Sequence, residues 1–242
     1  ASGLNGMGRM LEPEEIIDYI IKNIKAGLPL KGKKVLITAG PTYEPIDPVR
    51  YIGNYSSGKM GFALAEEALQ LGADVILISG PSALEASPDI KRYNVTSADE
   101  MYTLTMEHFS SVDIAIAAAA VADFKPRVVG KQKIKKEAGI QSIELDNTQD
   151  ILAQMGKLKQ KQFLLGFALE TEDEKNNAIK KIKSKNLDAI VLNSLNDSGA
   201  GFSLDSNKVT YIQKNQTIIP FELKSKTSVA KDIFSQILNQ NA

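Results

Sequence analysis

The chain has 242 residues, of which 43% are hydrophobic and 24% charged, a composition that is typical of globular proteins and excludes a disordered chain. Lys and Arg together number 29, as do Asp and Glu, so the zero net charge argues against bulk binding to nucleic acid or to an anionic membrane. The absence of cysteine excludes disulfides, thiolate metal sites and cysteine nucleophiles within these residues, and it suits the reducing cytoplasm in which we expect the protein to act.

The first residues are predicted to form a tail and a linker helix. The segment Leu11-Glu12-Pro13-Glu14-Glu15 is typical of a helix start. Isoleucines follow at helical spacing, and Gly27 and Pro29 end the pattern. This opening begins abruptly, as if cut from a longer chain. We therefore expect a tail over residues 1–31 and a separate main domain over residues 32–242.

From Lys34 onwards, short apolar strands alternate with amphipathic helices. Strands are predicted at 35–39, 75–78, 114–119, 163–168 and 189–192, helices at 61–71, 98–110, 150–159, 172–185 and 228–238, and a β-hairpin at 209–212 and 217–219. Strands this apolar indicate a mostly parallel sheet with helices on both faces, so we expect a Rossmann-like α/β fold with a C-terminal β-hairpin. The long loops 40–58 and 122–147 are candidate ligand-binding segments, because ligands bind beyond strand ends in such sheets.

The segment 53–61, where the first long loop meets a helix, has three interpretations. Residues 53–59 have the spacing of a P-loop, but Met60 occupies the position where a P-loop needs a hydroxyl for magnesium. Residues 56–61 resemble a dinucleotide fingerprint, but no acidic residue that could bind a ribose follows the strand 75–78. Both interpretations are therefore disfavoured.

The third interpretation is an anion site at the start of this helix. Ser56, Ser57 and Gly58 precede free N–H groups and the positive end of the helix dipole, both of which favour a phosphate. The alternative is that Ser56 or Ser57 only caps the helix. The residues alone leave these two interpretations open.

Two further features lie near the same predicted sheet edge. Residues 117–122 are small and apolar and lead to Asp123, whose carboxylate could reach a ribose hydroxyl or a magnesium ion, or could belong to an ordinary loop. The lysine-rich run 131–136 could neutralise a polyphosphate or simply face solvent. Glu44 and Asp47 lie in the first long loop without an assigned role.

The segment 40–61 resembles the signature of the bacterial phosphopantothenoylcysteine synthetase family. Further motifs of that family follow in its order at 119–123, 133–136, 166–171 and 185–188, and the resemblance covers roughly residues 33–240. It implies a ligase of coenzyme A biosynthesis that joins 4′-phosphopantothenate to L-cysteine. It also implies CTP as co-substrate, Mg²⁺, an acyl-cytidylate intermediate and a homodimer.

The opening of the chain resembles the last segment of the flavin-dependent decarboxylase that many bacteria fuse ahead of this synthetase. The matching residues are 6–16, and the decarboxylase cysteine expected near Ser2 is missing. We therefore expect neither decarboxylase activity nor bound flavin in this chain. Its natural parent is expected to be a multifunctional enzyme.

The resemblance also implies individual site residues. Asn54 is the expected catalytic residue, with its amide donating to the acyl oxygen, and Lys133 is a second catalytic residue that also contacts the nucleotide. Ala120 would lie beside the acyl group, and Arg50 would bind the phosphate of the pantothenate, from its own subunit or from a partner. The other nucleotide contacts implied are Ser56, Ala119, Asp123, Asn147, Thr148, Gln149, Asp150, Phe167, Lys181 and Lys185.

Two details qualify this set. The segment 147–150 departs from the Asn-Pro-Asp form of the family, whereas Lys181 and Lys185 are four residues apart and share one face of a predicted helix. No metal ligands are assigned. Two other classes of function remain alternatives on this type of fold, namely an NAD(P)-linked oxidoreductase and a nucleotide-binding regulatory module.

Overall fold

The computed structural model describes residues 10–17, 19, 27–135, 142–194 and 204–240. Of the predicted N-terminal helix, residues 13–17 and 19 are helical, and the rest of it lies outside the described residues. Lys136, at the end of the lysine-rich run, lies outside them as well.

The regular elements follow the predicted alternation from Lys34 onwards. The strands are β1 (Lys34–Ala39), β2 (Tyr43–Pro45), β3 (Tyr51–Gly53), β4 (Asp74–Ser79), β5 (Lys91–Asn94), β6 (Ile114–Ala117), β7 (Phe124–Pro126), β8 (Leu145–Asn147), β9 (Phe163–Glu170), β10 (Ala189–Ser194), β11 (Ser206–Asn207), β12 (Val209–Gln213), β13 (Ile218–Pro220) and β14 (Lys224–Ser225). The helices are α1 (Lys59–Gln70), α2 (Ala98–Phe109), α3 (Ile151–Leu158), α4 (Glu174–Ser184) and α5 (Lys226–Gln240).

The main sheet has the strand order β13-β12-β10-β9-β6-β1-β4-β5. All neighbours from β10 to β5 are parallel, while β12 and β13 form an antiparallel hairpin that extends the sheet beyond β10. In chain order, the parallel strands run outwards from β1 to β4 and β5, and then from β6 to β9 and β10 on the other side. This is the Rossmann strand order, so the predicted fold class is confirmed, with its C-terminal hairpin.

Helices cover both faces of the sheet. Val35 and Ile37 of β1 pack into a core with α1 and α5, whereas Leu36 of the same strand packs with α2, α3 and α4 on the opposite face. This follows from the alternation of side chains along a strand. Both faces of β1 are therefore dry, which is why the strand is apolar at every position after Lys34 except Thr38.

The ends of the helices show which local signals were sufficient. Ser97 caps α2 as predicted: its side chain accepts from the Glu100 amide, and the Glu100 side chain completes a capping box. Asp150 caps α3 through the Ala153 amide. Among the described residues, none of the helices combines the length and hydrophobicity that a membrane crossing requires.

Both long loops contain short hairpins that the sequence did not predict. β2 pairs with β3 in the first loop, and β7 pairs with β8 in the second, each over three residue pairs. Strands this short, with proline at Pro45 and Pro126 and several exposed side chains, carry no usable hydrophobic alternation. They are instead supported by tertiary contact, since β2 packs against β7.

Candidate functional site

A cavity of about 640 Å³ lies at the carboxyl ends of the central strands. Its floor includes Thr38 at the end of β1 and the small residues that follow β6, and its sides include the start of α1 and the ends of β9 and β10. The parallel strands after β1 fill one side of the sheet, and those from β6 onwards fill the other. The loops of β1 and β6 therefore diverge and leave a crevice, which is where open α/β sheets bind ligands.

The start of α1 borders this cavity without a side-chain cap. Its N-cap residue is Gly58, with a φ of 81° that L-residues rarely adopt and with no side-chain cap hydrogen bond. Ser56 Oγ instead accepts from the Gly58 amide at 3.3 Å, and the Ser57 carbonyl accepts from Ser82. The interpretation of Ser56 or Ser57 as a simple helix cap is therefore wrong, and the anion site stays a prediction.

Gly61 explains how α1 comes so close to the sheet. A Cβ atom built on Gly61 would lie 2.5 Å from the Cβ of Ala39 in β1. A larger residue would push the first turn of α1 away from the end of β1. The third glycine of a dinucleotide fingerprint has the same packing role, although the rest of that fingerprint is absent here.

Asn54 lies where the β2–β3 hairpin leads into α1, and its side chain reaches across the cavity floor. Its amide nitrogen donates to the carbonyls of Ala120 at 2.9 Å and of Val121 at 3.1 Å. These two bonds connect the first long loop to the small-residue segment after β6. Asn54 thus faces the same space as Ala119 and Ala120, as the resemblance implied.

The segment 147–150 docks beside Asp123. The Thr148 amide donates to the Asp123 carbonyl at 3.0 Å, and the Thr148 hydroxyl donates to the Ala122 carbonyl at 2.6 Å. These bonds bring the start of α3 next to the end of the small-residue segment. Asp123 itself is exposed and lines the cavity.

Two lysines of α4 and its C-terminal end form a cationic wall, as their spacing predicted. Lys181 pairs with Glu170 of β9 at 2.5 Å, and Lys185 pairs with Asp150 at 2.7 Å. Partial burial acts to raise the pKa of Asp150, but hydrogen bonds from Lys185 and Ala153 and the charges of both lysines outweigh it. The pKa of Asp150 therefore lies below its usual range.

A second group of cationic side chains lines the cavity, and the sequence did not identify it as a site. Lys226, the first residue of α5, is only 7% exposed and donates to the Leu204 carbonyl at 2.6 Å. Lys59, at the start of α1, pairs with Asp205 at 2.6 Å. Burial and the charge of Lys59 lower the pKa of Lys226, and Asp205 partly opposes this. No local pattern could have found Lys226, because only the tertiary fold brings it to α1.

All predicted site residues except Arg50 and Lys133 line this cavity. Lys133 is exposed on the neighbouring loop. The Arg50 guanidinium binds the Asp47 carboxylate and the Ile134 carbonyl instead. These two residues therefore lie together, but outside the cavity of their own chain.

The donor set suits a magnesium ion that arrives with a nucleotide better than a resident metal. Within the described residues there is no group of three or more His, Cys, Asp or Glu side chains placed to hold a metal ion. Magnesium usually needs only one or two protein carboxylates when phosphates supply the other ligands. Asp123, an exposed carboxylate at the cavity, fits that requirement.

Comparison with known proteins identifies close relatives. The chain is 54% identical, over 98% of its length and 68% of the relative's, to a protein from an unknown prokaryotic organism named cysteine/cysteine sulfinic acid decarboxylase. It is 45% identical, over 98% of its length and 59% of the relative's, to the coenzyme A biosynthesis bifunctional protein CoaBC of Bacillus subtilis (strain 168). The chain thus spans between about three fifths and two thirds of these relatives.

A solved structure gives the same result. The crystal structure of the C-terminal domain of a coenzyme A biosynthesis bifunctional protein CoaBC is 42% identical, with a TM-score of 0.77, and the match covers 88% of this chain and 98% of that one. The resemblance found in the sequence motifs is confirmed. Residues 30–240 match the profile of one family, and the chain belongs to that family, the DNA/pantothenate metabolism flavoprotein C-terminal domain.

Proposed function

We propose that the protein is a ligase that joins 4′-phosphopantothenate to L-cysteine at the expense of CTP. The observation that carries the proposal is the convergence of Asn54, the start of α1, the small-residue segment and the Lys181–Lys185 wall on one cavity. The family membership and the relatives named for coenzyme A biosynthesis support it. Because the chain spans only part of those relatives, their other activities are not assigned to it.

The chemistry requires activation of a carboxylate, because hydroxide is a poor leaving group at neutral pH. In the first step a carboxylate oxygen of the pantothenate attacks the α-phosphorus of CTP, the bond to the β-phosphate breaks, and pyrophosphate leaves with the electron pair. In the second step the cysteine amine attacks the acyl carbon, the bond to CMP breaks, and the amine loses a proton. Splitting one hard step into two in this way is the general use of an activated intermediate.

Asn54 is suited to hold the reacting acyl group. Its amide nitrogen donates to the Ala120 and Val121 carbonyls, which places the side chain against the cavity floor. On binding substrate, it exchanges one of these partners for the acyl oxygen. Such a preorganised donor lowers the barrier without any acid–base step.

The nucleotide is proposed to lie between the start of α1 and the cationic wall. Phosphates would accept from the first turn of α1, and Lys181 and Lys185 would neutralise their charge. Mg²⁺ would accompany the triphosphate and bind the Asp123 carboxylate. We place the reaction in the cytoplasm, where CTP is made.

The choice of CTP over another nucleotide and the division into a tail of residues 1–31 and a catalytic domain of residues 32–242 are parts of this proposal. A nucleotide panel tests the first. A chain that starts at residue 32 and retains full turnover would support the second, and a chain of this length that loses activity while folded would contradict it.

The test of the function is release of pyrophosphate when the protein is mixed with CTP, Mg²⁺ and 4′-phosphopantothenate. The expected result is pyrophosphate only when all three are present, with CMP and the amide product after cysteine is added. Omission of 4′-phosphopantothenate is the control for plain CTP hydrolysis. The absence of pyrophosphate from folded protein would overturn the proposal.

Three companion measurements, of CO₂ release, of NADPH binding and of CTP binding without turnover, separate the alternatives. A decarboxylase, which the name of one relative suggests, would release CO₂ from cysteine without CTP. An NAD(P)-linked oxidoreductase would bind NADPH, and a nucleotide-binding regulatory module would bind CTP without turnover. Dinucleotide-binding enzymes carry an acidic residue that binds the ribose at the end of the second strand. At the end of β4 this chain has Ser79, which is buried and whose hydroxyl donates a hydrogen bond to the Gly80 carbonyl. This disfavours the oxidoreductase.

We also propose a homodimer in which a second copy covers the β2–β3 and β7–β8 hairpins. These packed hairpins expose large apolar side chains outside the cavity, and Tyr51 is 52% and Leu145 42% exposed. Arg50 and Lys133 lie beside this surface and outside their own cavity. A second copy there would accept these cations into its own site.

A mixing experiment tests the shared site. Asn54→Ala and Lys133→Gln chains are each expected to lose most of their turnover. After they are unfolded and refolded together, half of the dimers are mixed and carry one intact site, so about a quarter of wild-type turnover should return. No recovery, with dimers present by sedimentation, would mean that each chain uses its own Lys133.

A further inference from the structure

The turn between β2 and β3 contains a buried carboxylate that the proposed reaction does not use. Asp47 is only 3% exposed. Its Oδ1 atom accepts from the amides of Val49 at 2.8 Å and of Arg50 at 2.9 Å. This half of the carboxylate shapes the turn itself.

The other oxygen of Asp47 reaches out of the hairpin to the loop that carries Lys133. Oδ2 accepts from Arg50 Nε at 3.1 Å and from the Ile134 amide, 87 residues further along the chain, at 3.1 Å. Arg50 Nη2 donates to the Ile134 carbonyl at 2.7 Å, so both backbone groups of Ile134 are held. Ile134, the residue next to Lys133, is therefore held by the Asp47 carboxylate and the Arg50 guanidinium.

A third bond closes the same contact. The Gly130 amide donates to the Ile46 carbonyl at 2.9 Å. A Cβ atom built on Gly130 would lie 3.4 Å from the Cβ of Asp47, so the loop lies directly against the turn. Lys131, Gln132 and Lys133 are the exposed residues between these anchored points, at Gly130 and Ile134, and Lys133 adjoins the second.

The carboxylate is charged at every working pH. Hydrogen bonds from Arg50 hold the pKa of Asp47 far below its usual range, although burial opposes them. A buried carboxylate in contact with one guanidinium and several amides is costly to disrupt from either side, because each partner would be left unpaired. The contact is therefore a durable link between two segments that are far apart in sequence.

We infer that Asp47 is a positioning residue, which acts through the anchored segment 130–135 to hold Lys133 and Arg50 on the hairpin surface in the arrangement that the reaction needs. This inference rests on the proposed function of Lys133. It assigns a role to an acid that contacts no ligand. It also explains why Arg50 contacts Ile134, the residue next to Lys133, although the two are 84 positions apart.

The test compares Asp47→Asn with Glu44→Gln. Glu44 is a second buried carboxylate of the same hairpin, but it accepts from the Ala98 amide at the start of α2 and has no hydrogen bond to the 130–135 segment. Trypsin should cleave Asp47→Asn after Lys131 and Lys133 several times faster than wild type, and amide exchange at Ile134 should accelerate. Glu44→Gln should behave as wild type in both measurements.

Kinetic measurements distinguish a positioning role from a purely structural one, because only positioning lowers turnover while CTP affinity is kept. Asp47→Asn should reduce pyrophosphate release at least to the level of Lys133→Gln, while CTP affinity changes less than about threefold because Lys181 and Lys185 are untouched. The double variant should be no worse than Asp47→Asn alone, since Asp47→Asn already removes the contribution of Lys133. Multiplied losses in the double variant, or equal losses in Glu44→Gln, would overturn the inference.

A loop-side variant covers the case in which Asp47→Asn fails to fold. Ile134→Pro removes the amide that Asp47 holds and leaves the hairpin intact, so it should reproduce the proteolysis and the kinetic loss. Wild-type turnover in that variant would contradict the positioning role. If wild type itself released no pyrophosphate, the proposed function would fail, and the proteolysis and exchange measurements would still report whether Asp47 anchors the loop.

Discussion

The nucleotide wall and the hairpin surface show two different ways of building a site. The nucleotide wall comprises residues 147–150, Phe167, Lys181 and Lys185, which lie on or next to regular elements packed into the core. The hairpin surface comprises the β2–β3 turn and residues 130–135, which lie outside the cavity and are joined by hydrogen bonds grouped around one buried carboxylate, that of Asp47. The nucleotide wall therefore lies within one chain, whereas the hairpin surface depends on the Asp47 contact and, in our proposal, on a second copy.

The largest effect is expected at Asn54, which joins the first long loop to the small-residue segment on the cavity floor. Asn54→Ala should reduce pyrophosphate release by roughly 10²–10³-fold, because it removes a preorganised donor at the reacting group. The melting temperature should fall by only a few degrees, since Asn54 is exposed and the variant loses two hydrogen bonds. Asn215→Ala, in the exposed β12–β13 hairpin, is the matched control. Wild-type rates in Asn54→Ala would contradict the catalytic role.

The second largest effect is expected at Lys133, on the hairpin surface, where a substitution should lower turnover and not CTP affinity. Lys133→Gln should lower turnover by roughly 10–10²-fold while CTP affinity changes little, because a charge that acts on the reacting phosphate contributes mainly in the transition state. Calorimetry with CTP and steady-state kinetics measure the two quantities. Gln132→Ala, the neighbouring exposed residue, is the control. Equal losses in binding and turnover would make Lys133 a plain nucleotide contact.

A substitution in the nucleotide wall should have the opposite effect: it should weaken CTP binding more than it lowers turnover. Lys185→Gln should weaken CTP binding by about tenfold, because it removes a cation from the phosphate end and leaves Asp150 without its partner, while turnover at saturating CTP falls less. Lys180→Gln, on the exposed side of α4, should match wild type. If Lys185→Gln affected turnover alone, the wall and the hairpin surface would not have separate roles.

The smallest effect concerns stability in acid. The folded pKa of Asp150 lies below its unfolded value, so its charge contributes stability that is present above the unfolded pKa and is lost as pH falls through the folded one. Lys185→Gln removes the main cation and should flatten this loss below about pH 4. Urea unfolding of both proteins at neutral and acid pH measures it. The same slope in both would show that Lys185 does not set the charge of Asp150.

Prediction from sequence succeeded where local pattern decides structure. The apolar strands, the cap at Ser97 and the four-residue spacing of Lys181 and Lys185 all act within a few residues, and the structure has them as expected. The small-residue segment after β6 was recognisable because it is unusual in composition. These features account for the sheet and for most of the cavity lining.

Prediction from sequence failed where the structure depends on contacts between residues that are far apart in the chain. The hairpins β2–β3 and β7–β8 are too short to have a periodicity and exist because they pack together. Lys226 reaches the cavity from the last helix, and Asp205 supplies the partner of Lys59. No window of sequence contains both members of these contacts.

The sequence by itself determined the Rossmann-like sheet and the family of the chain, because strand and helix periodicity and the motif of residues 40–61 are local properties. Only the tertiary structure decided that Arg50 faces Asp47 and Ile134 instead of the cavity, and that Lys133 lies beside it. The reason is physical. A buried carboxylate must accept hydrogen bonds from donor groups within about 3 Å, and the tertiary fold determines which donor groups lie there.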